Sequence, residues 1–236
     1  ILVMYLGSYK RIFLILLAVW FTINLIQALF TEILGDEAYY KLYSEYLDWG
    51  YFDHPPMVAL MIRASSFVFS GNLGVRFITV LLQLGTLALI WMTLEKKEPD
   101  SRNVFTFFII SGSISMFSGY GVIATPDAPL LFFTALFLFT YKNFIGSQKW
   151  FLTLLLSVAM AGLVYSKYQA ALVIGFAVLS NPNLLRNMRF WFAGILALAI
   201  LSFHFYWQFS YDFPSFQYHL VYRLENFKLK HVIEYL

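Results

Sequence analysis

GDEAYYKLYSEYLDWGYFDHPP, residues 35–56, is the stretch on which the reading of this 236-residue chain turns. Six of the thirteen acidic residues fall between Glu32 and Asp53 (Glu32, Asp36, Glu37, Glu45, Asp48 and Asp53), interleaved with Tyr39, Tyr40, Tyr43, Tyr46 and Tyr51. The segment follows directly on an apolar run at 12–30 that is long enough to cross a bilayer. A hydrophobic protein that gathers so much charge into one extramembrane loop is expected to use it.

The chain around this loop is 60% hydrophobic and 12% charged, where soluble domains carry about a quarter charged residues. The class is therefore all-α: a polytopic transmembrane helix bundle. Continuous rather than alternating apolar segments exclude a β-barrel. With no cysteine there is no disulfide framework and no thiolate metal site. The net charge of +3 gives no sign of a nucleic-acid partner. The opening ILVMYLGSYKR lacks a small-residue cleavage site and reads as the approach to a retained first span.

Span-length apolar runs occur at 12–30, 75–94, 104–118, 128–144, 150–165, 168–181 and 190–209, about seven in all. The fifth and sixth are short and divided only by SKYQ, residues 166–169, so that one bent helix is the alternative. Two helices put Lys10, Arg11, Lys96, Lys97, Arg102, Lys142, Lys149, Arg186 and Arg189 on one side, which the positive-inside rule makes cytoplasmic. The opposite side then receives the first outer loop (31–72), the TPDAP turn (125–129), the SKYQ turn and the tail from Tyr211. Residues 1–236 read as a single module without repeats or a soluble domain.

Within the key loop, Asp36 is placed to cap a helix that ends near Gly50. Tyr39, Tyr43, Tyr46 and Leu47 share one face, and Glu37, Lys41, Ser44, Glu45 and Asp48 the other, with Glu37 and Lys41 at i,i+4 spacing. Such a helix is expected to lie on the outer leaflet. HPP, 54–56, breaks the chain before a second amphipathic stretch at 57–70, which carries Arg63 and is too short to span.

The series GDEAYY, YFDHPP, LGVRF (73–77), TPDAP, SKYQ and DFPSF (212–216) resembles the bacterial GT-C glycosyltransferases of the protein-mannosyltransferase type, to which the lipid A aminoarabinose transferases are related. The resemblance implies transfer of a sugar, with inversion, from a polyprenyl-phosphate donor to an extracytoplasmic acceptor. It also implies a multi-pass protein of the bacterial inner membrane with its site on the outer face, and a chain about twice this length whose C-terminal remainder is absent here. In the family pattern the acidic pair of the first outer loop holds the catalytic carboxylate, which matches Asp36, with Glu37 beside it. Tyr40 and Tyr51 match tyrosines that donate to the phosphate. The aminoarabinose branch reads DEARY where this chain has DEAYY, and YFEKPP, with a metal-binding glutamate, where it has YFDHPP. Those departures count against aminoarabinose transfer.

The reaction requires a base, cations or donors for the departing phosphate, and a dry approach for the lipid. Asp36 is the candidate base, against a plain capping role. Asp127, facing outward at a helix start, is a candidate to orient the acceptor or support the loop, against an N-cap. Lys167, between two short spans, is assigned to the donor phosphate, against snorkelling to the headgroups. Arg223 in the basic tail is a further phosphate candidate, and Arg76 shares that chemistry. Asp53 and His54 form half of a divalent-metal site, since carboxylate plus imidazole suits zinc or manganese. His204, inside the last span, reads as packed or hydrogen-bonded. Two competing readings remain: a transporter or flippase lined by these groups, and an inactive assembly subunit. A transporter would carry ionisable groups near the midplane, whereas these crowd one rim.

Overall fold

The computed structural model describes residues 7–94, 99–147 and 149–222. Arg223, Lys96 and Lys97 lie outside the described residues. Helices dominate: α1 (Ser8–Phe30), α2 (Gly35–Glu45), α3 (Met57–Ser66), α4 (Gly71–Leu94), α5 (Ser101–Ser113), α6 (Ser115–Ser118), α7 (Asp127–Ser147), α8 (Trp150–Ser166), α9 (Ala171–Ser180), α10 (Met188–Ser210) and α11 (Pro214–Gln217). Short 3₁₀ turns at Tyr168–Ala170 and Pro182–Arg186 flank α9.

Four helices, α1, α4, α7 and α10, have the length and hydropathy to cross a membrane. The protein is a helical membrane bundle. The other three expected spans are shorter: α8 with 17 residues reaches about 25 Å and α9 with 10 about 15 Å. The break at SKYQ is real. Lys167 takes an extended conformation (φ −154°, ψ 142°), ending α8 and starting the 3₁₀ turn before α9.

The main core lies where α8 packs between α7 and α10, around Phe137, Phe144, Leu156, Leu163, Ala193 and Leu201. Close approach there depends on Gly162, where a Cβ would stand 2.3 Å from the Phe133 ring. A second core joins α1, α4 and α5 through Phe13, Leu87, Val104, Phe107 and Phe108. At one end Lys142 Nζ donates to the Thr93 carbonyl (2.6 Å) and Arg189 sits over the Trp150 ring. The polar loops and turns meet at the other end.

The α2 helix corrects two sequence expectations. It starts at Gly35, after Leu34, so Asp36 stands in its first turn rather than capping it, and it ends at Glu45, short of Gly50. Its inward face is Glu37, Tyr40 and Ser44, while Tyr39, Tyr46 and Leu47 are exposed. Of the expected polar face, Glu37 and Ser44 are thus turned into the protein, while Lys41, Glu45 and Asp48 stay exposed. The cause is Arg76 of α4, buried and in need of a carboxylate partner.

Candidate functional site

Glu37 and Arg76 frame the site from behind. Arg76 Nε and Nη2 donate to Glu37 Oε1 (2.7 Å) and Oε2 (2.5 Å). The remaining guanidinium donors reach the Thr31 carbonyl (2.9 Å), Thr31 Oγ1 (2.6 Å) and the Glu32 carbonyl (2.7 Å). Glu37 also accepts from the backbone N–H of Ala124 (2.9 Å) and of Leu34 (3.1 Å). Burial by itself would push the Glu37 carboxyl up. The Arg76 hydrogen bonds, the two backbone donors and the Arg76 charge outweigh it and hold the carboxyl below its ordinary range. Glu37 is therefore a fully engaged internal anchor rather than a surface partner of Lys41, and Arg76 is closed off from any phosphate.

In front of this anchor stand the groups with free chemistry. Asp36 is exposed and makes no hydrogen bond among the described residues. Tyr40 is buried, its ring edge-on to Tyr39, Tyr43 and His54. Burial, and then the charges of Asp53, Asp36 and Asp127, push its phenol well up. The three carboxylates whose charge acts on this phenol come from α2, the loop after it, and the start of α7. Lys167 Nζ meets Asp127 Oδ1 at 2.7 Å. Lys167 also lines a cavity of about 490 Å³ with His54, Gln169, Tyr218 and His219.

Tyr51 sits elsewhere. Its ring stacks on Tyr43 with centroids 3.9 Å apart, and its hydroxyl donates to the Tyr43 carbonyl (2.9 Å) while accepting from the Asp48 N–H (3.2 Å). Its oxygen thus closes the C-terminal end of α2 and is not presented to the cavity. Asp53 Oδ1 accepts from the hydroxyls of Tyr39 (3.1 Å) and Tyr43 (3.0 Å).

Asp53 and His54 are neighbours, Oδ2 to Nε2 3.6 Å. Burial, foremost, together with the charges of Lys167 and His219, lowers the His54 imidazole; Asp53 and Asp127 oppose this. Among the described residues no three His, Cys, Asp or Glu converge as a metal-binding group. The nearby His219 donates Nε2–H to the Asp53 carbonyl (2.8 Å). Among the described residues Asp53 and His54 thus supply two neighbouring donors and no third.

His204 is packed and hydrogen-bonded as expected, while sequence reasoning missed His219 and the partners of His204. His204 Nδ1–H donates to the Trp49 carbonyl (2.6 Å), and its Nε2 accepts from Tyr168 (3.1 Å). Gln208 Nε2 donates to Tyr168 Oη (2.8 Å) and to Ser215 Oγ (2.8 Å), and Ser215 donates to the Tyr51 carbonyl (2.5 Å). Gly50 gives room for this docking, since a Cβ there would lie 2.4 Å from the Trp207 ring. The i,i+4 pair His204 and Gln208 on an apolar helix is the signal that was available.

Residues 53–207 match the family model described as dolichyl-phosphate-mannose-protein mannosyltransferase. The match takes in Asp53, Asp127, Lys167 and His204, and leaves Asp36 just before it. A lipid A galacturonosyltransferase, RgtD, of Rhizobium johnstonii is 26% identical over 192 residues, 77% of this chain and 40% of that protein. An uncharacterized protein of Aquifex aeolicus is 29% identical over 168 residues, 67% of this chain and 32% of its own length. The chain thus spans well under half the length of these relatives. No solved structure matches. With a family match over well over half its length, the chain belongs to the dolichyl-phosphate-mannose-protein mannosyltransferase family of GT-C membrane glycosyltransferases.

Proposed function

We propose that the protein transfers a sugar from a polyprenyl-phosphate donor to an extracytoplasmic acceptor at the bacterial inner membrane, with inversion at the anomeric carbon. In this reading the acceptor hydroxyl attacks that carbon as its proton passes to the Asp36 carboxylate. The bond from carbon to phosphate oxygen breaks, and polyprenyl phosphate leaves beside Lys167. The family supports a lipid-linked donor and a membrane setting. The carrying observation is the Lys167–Asp127 bridge at a cavity that His54 also lines, with His54 in ring contact with Tyr40 of α2, the helix that bears the exposed Asp36.

Asp36 suits a base because its carboxylate has no hydrogen-bond partner among the described residues, whereas Glu37 is saturated. The Tyr40 hydroxyl has no hydrogen bond among the described residues and supplies a donor; Asp127 fixes the Lys167 ammonium. Arg223 lies outside the described residues and stays a second phosphate candidate. The family's mannosyl donor and the galacturonosyl donor of the Rhizobium relative name two sugar classes to try.

The test is turnover of radiolabelled polyprenyl-phosphate hexose and polyprenyl-phosphate uronic acid by membranes containing the protein. Asp36→Asn is expected to lower turnover about 10²–10⁴-fold, the usual weight of a positioned base. Equal turnover in the two would remove Asp36 as base. No turnover of either donor by wild type would favour the transport or assembly readings.

A further inference from the structure

The outer end of α8 sends two adjacent side chains in different directions. Lys167 reaches α7, where it meets Asp127; Tyr168 reaches α10, where its hydroxyl meets His204 and Gln208. Lys167 itself is the extended residue at the break, held on one side by α8, where its N–H donates to the Leu163 carbonyl (3.1 Å), and on the other by the 3₁₀ turn that Tyr168 begins. That turn is short and has poor hydrogen-bond geometry of its own.

The Tyr168 hydroxyl is strongly specified. The Trp49 carbonyl can only accept, so His204 carries its proton on Nδ1 and offers the lone pair of Nε2. Tyr168 must donate to that lone pair, and its oxygen then accepts from the Gln208 amide. His204, Gln208 and Ser215 are all fully buried, where an unmet polar group is costly. Burial is the main reason the Tyr168 phenol is pushed up to about 12. The ring also contacts Phe216 and His219, and through Ser215 the same set holds the Tyr51 carbonyl.

We infer that Tyr168 and His204 are positioning residues that fix Lys167 at the cavity mouth against α10, so that its ammonium lies on Asp127 and in reach of the donor phosphate. The donor half of this statement rests on the function proposed above; the placement of Lys167 does not. Neither side chain lines the cavity, and both act through the turn.

The experiment has two readouts on the membrane-embedded protein. The first is the zero-length carbodiimide cross-link between Asp127 and Lys167, read as a peptide by mass spectrometry. The second is binding of a fluorescent polyprenyl phosphate. Tyr168→Phe deletes only the hydroxyl, and His204→Asn keeps a donor for Trp49 while removing the Tyr168 contact. Both are expected to lower the cross-link yield severalfold and to weaken binding about tenfold, the scale of one lost buried hydrogen bond. In a Lys167→Met background Tyr168→Phe is expected to weaken binding no further, which a general loss of packing would not produce. An unchanged cross-link, or equal weakening in both backgrounds, overturns the inference. A reduced cross-link in a protein that binds no polyprenyl phosphate leaves the positioning role standing and removes the donor reading instead.

Discussion

Arg76 meets Glu37 in a two-point ion pair, 2.7 and 2.5 Å, across 39 positions of sequence, and the same two side chains gather Thr31, Glu32, Leu34 and Ala124. One pair thus ties the end of α1, the start of α2 and the approach to α7 onto α4. Removing one partner strands the other charge in a buried place, which costs about 3–5 kcal/mol. Glu37→Gln and Arg76→Met are each expected to lower the unfolding midpoint in detergent sharply. Parental thermal stability in either would refute the anchoring role.

The same pair sets a dependence on pH. The Glu37 carboxyl is held below its ordinary value in the folded state, so its contribution is complete above the ordinary carboxylate range. It is lost as pH falls from there through the depressed folded value. Wild-type stability should therefore decline on acidification below about pH 4.5, the carboxylate reference range, with a steeper slope than Glu37→Gln shows. Parallel pH profiles for the two proteins would contradict this.

Lys167 and Asp127 form a pair of another kind. Their side chains are 25% and 32% exposed, so the bridge adds about 0–1 kcal/mol to stability. Lys167→Met and Asp127→Asn are expected to leave the melting temperature nearly unchanged while raising the KM for the lipid donor. A double-mutant cycle should show coupling in KM and little in stability. A large stability loss with unchanged KM would make the pair structural.

Four of the seven expected spans were readable as long apolar helices, because apolar length is a local property of the chain. So was the break at SKYQ, where four residues interrupt two apolar runs and Lys167 now ends α8. The loop helix was harder. Its sequence offers a tyrosine face and a charged face, and nothing local says that Arg76, far along the chain, will draw Glu37 inward. Tyr51 was assigned by resemblance, yet its hydroxyl is claimed by backbone groups three to eight residues away, a turn geometry that side-chain identity does not report. The buried set joins His204 and Gln208, marked only by their i,i+4 spacing, to the hydroxyls of Tyr168 and Ser215, and no periodicity marks those two partners.

Gly162 tests the packing on which the Lys167 turn rests. A methyl there would meet the Phe133 ring at 2.3 Å, well inside contact distance, at the crossing of α7 and α8. Gly162→Ala is expected to cost about 1–3 kcal/mol by overpacking. Phe133→Leu should restore part of the loss by vacating the space. If the double variant melts no higher than Gly162→Ala alone, the close approach is not what limits stability.

Membrane sidedness can be read directly, because these 236 residues contain no cysteine and a thiol introduced among them is identified by its peptide. Lys41 is exposed on α2 at the polar end with Asp36, and Asn183 is exposed in the 3₁₀ turn before α10. Basic residues Arg186 and Arg189 flank the latter, which the positive-inside rule assigns to the cytoplasm. In intact spheroplasts a membrane-impermeant maleimide is expected to label Lys41→Cys at once and Asn183→Cys only after permeabilisation. The reverse order would turn the bundle over and place Asp36 on the cytoplasmic face, where the proposed extracytoplasmic acceptor would never meet it.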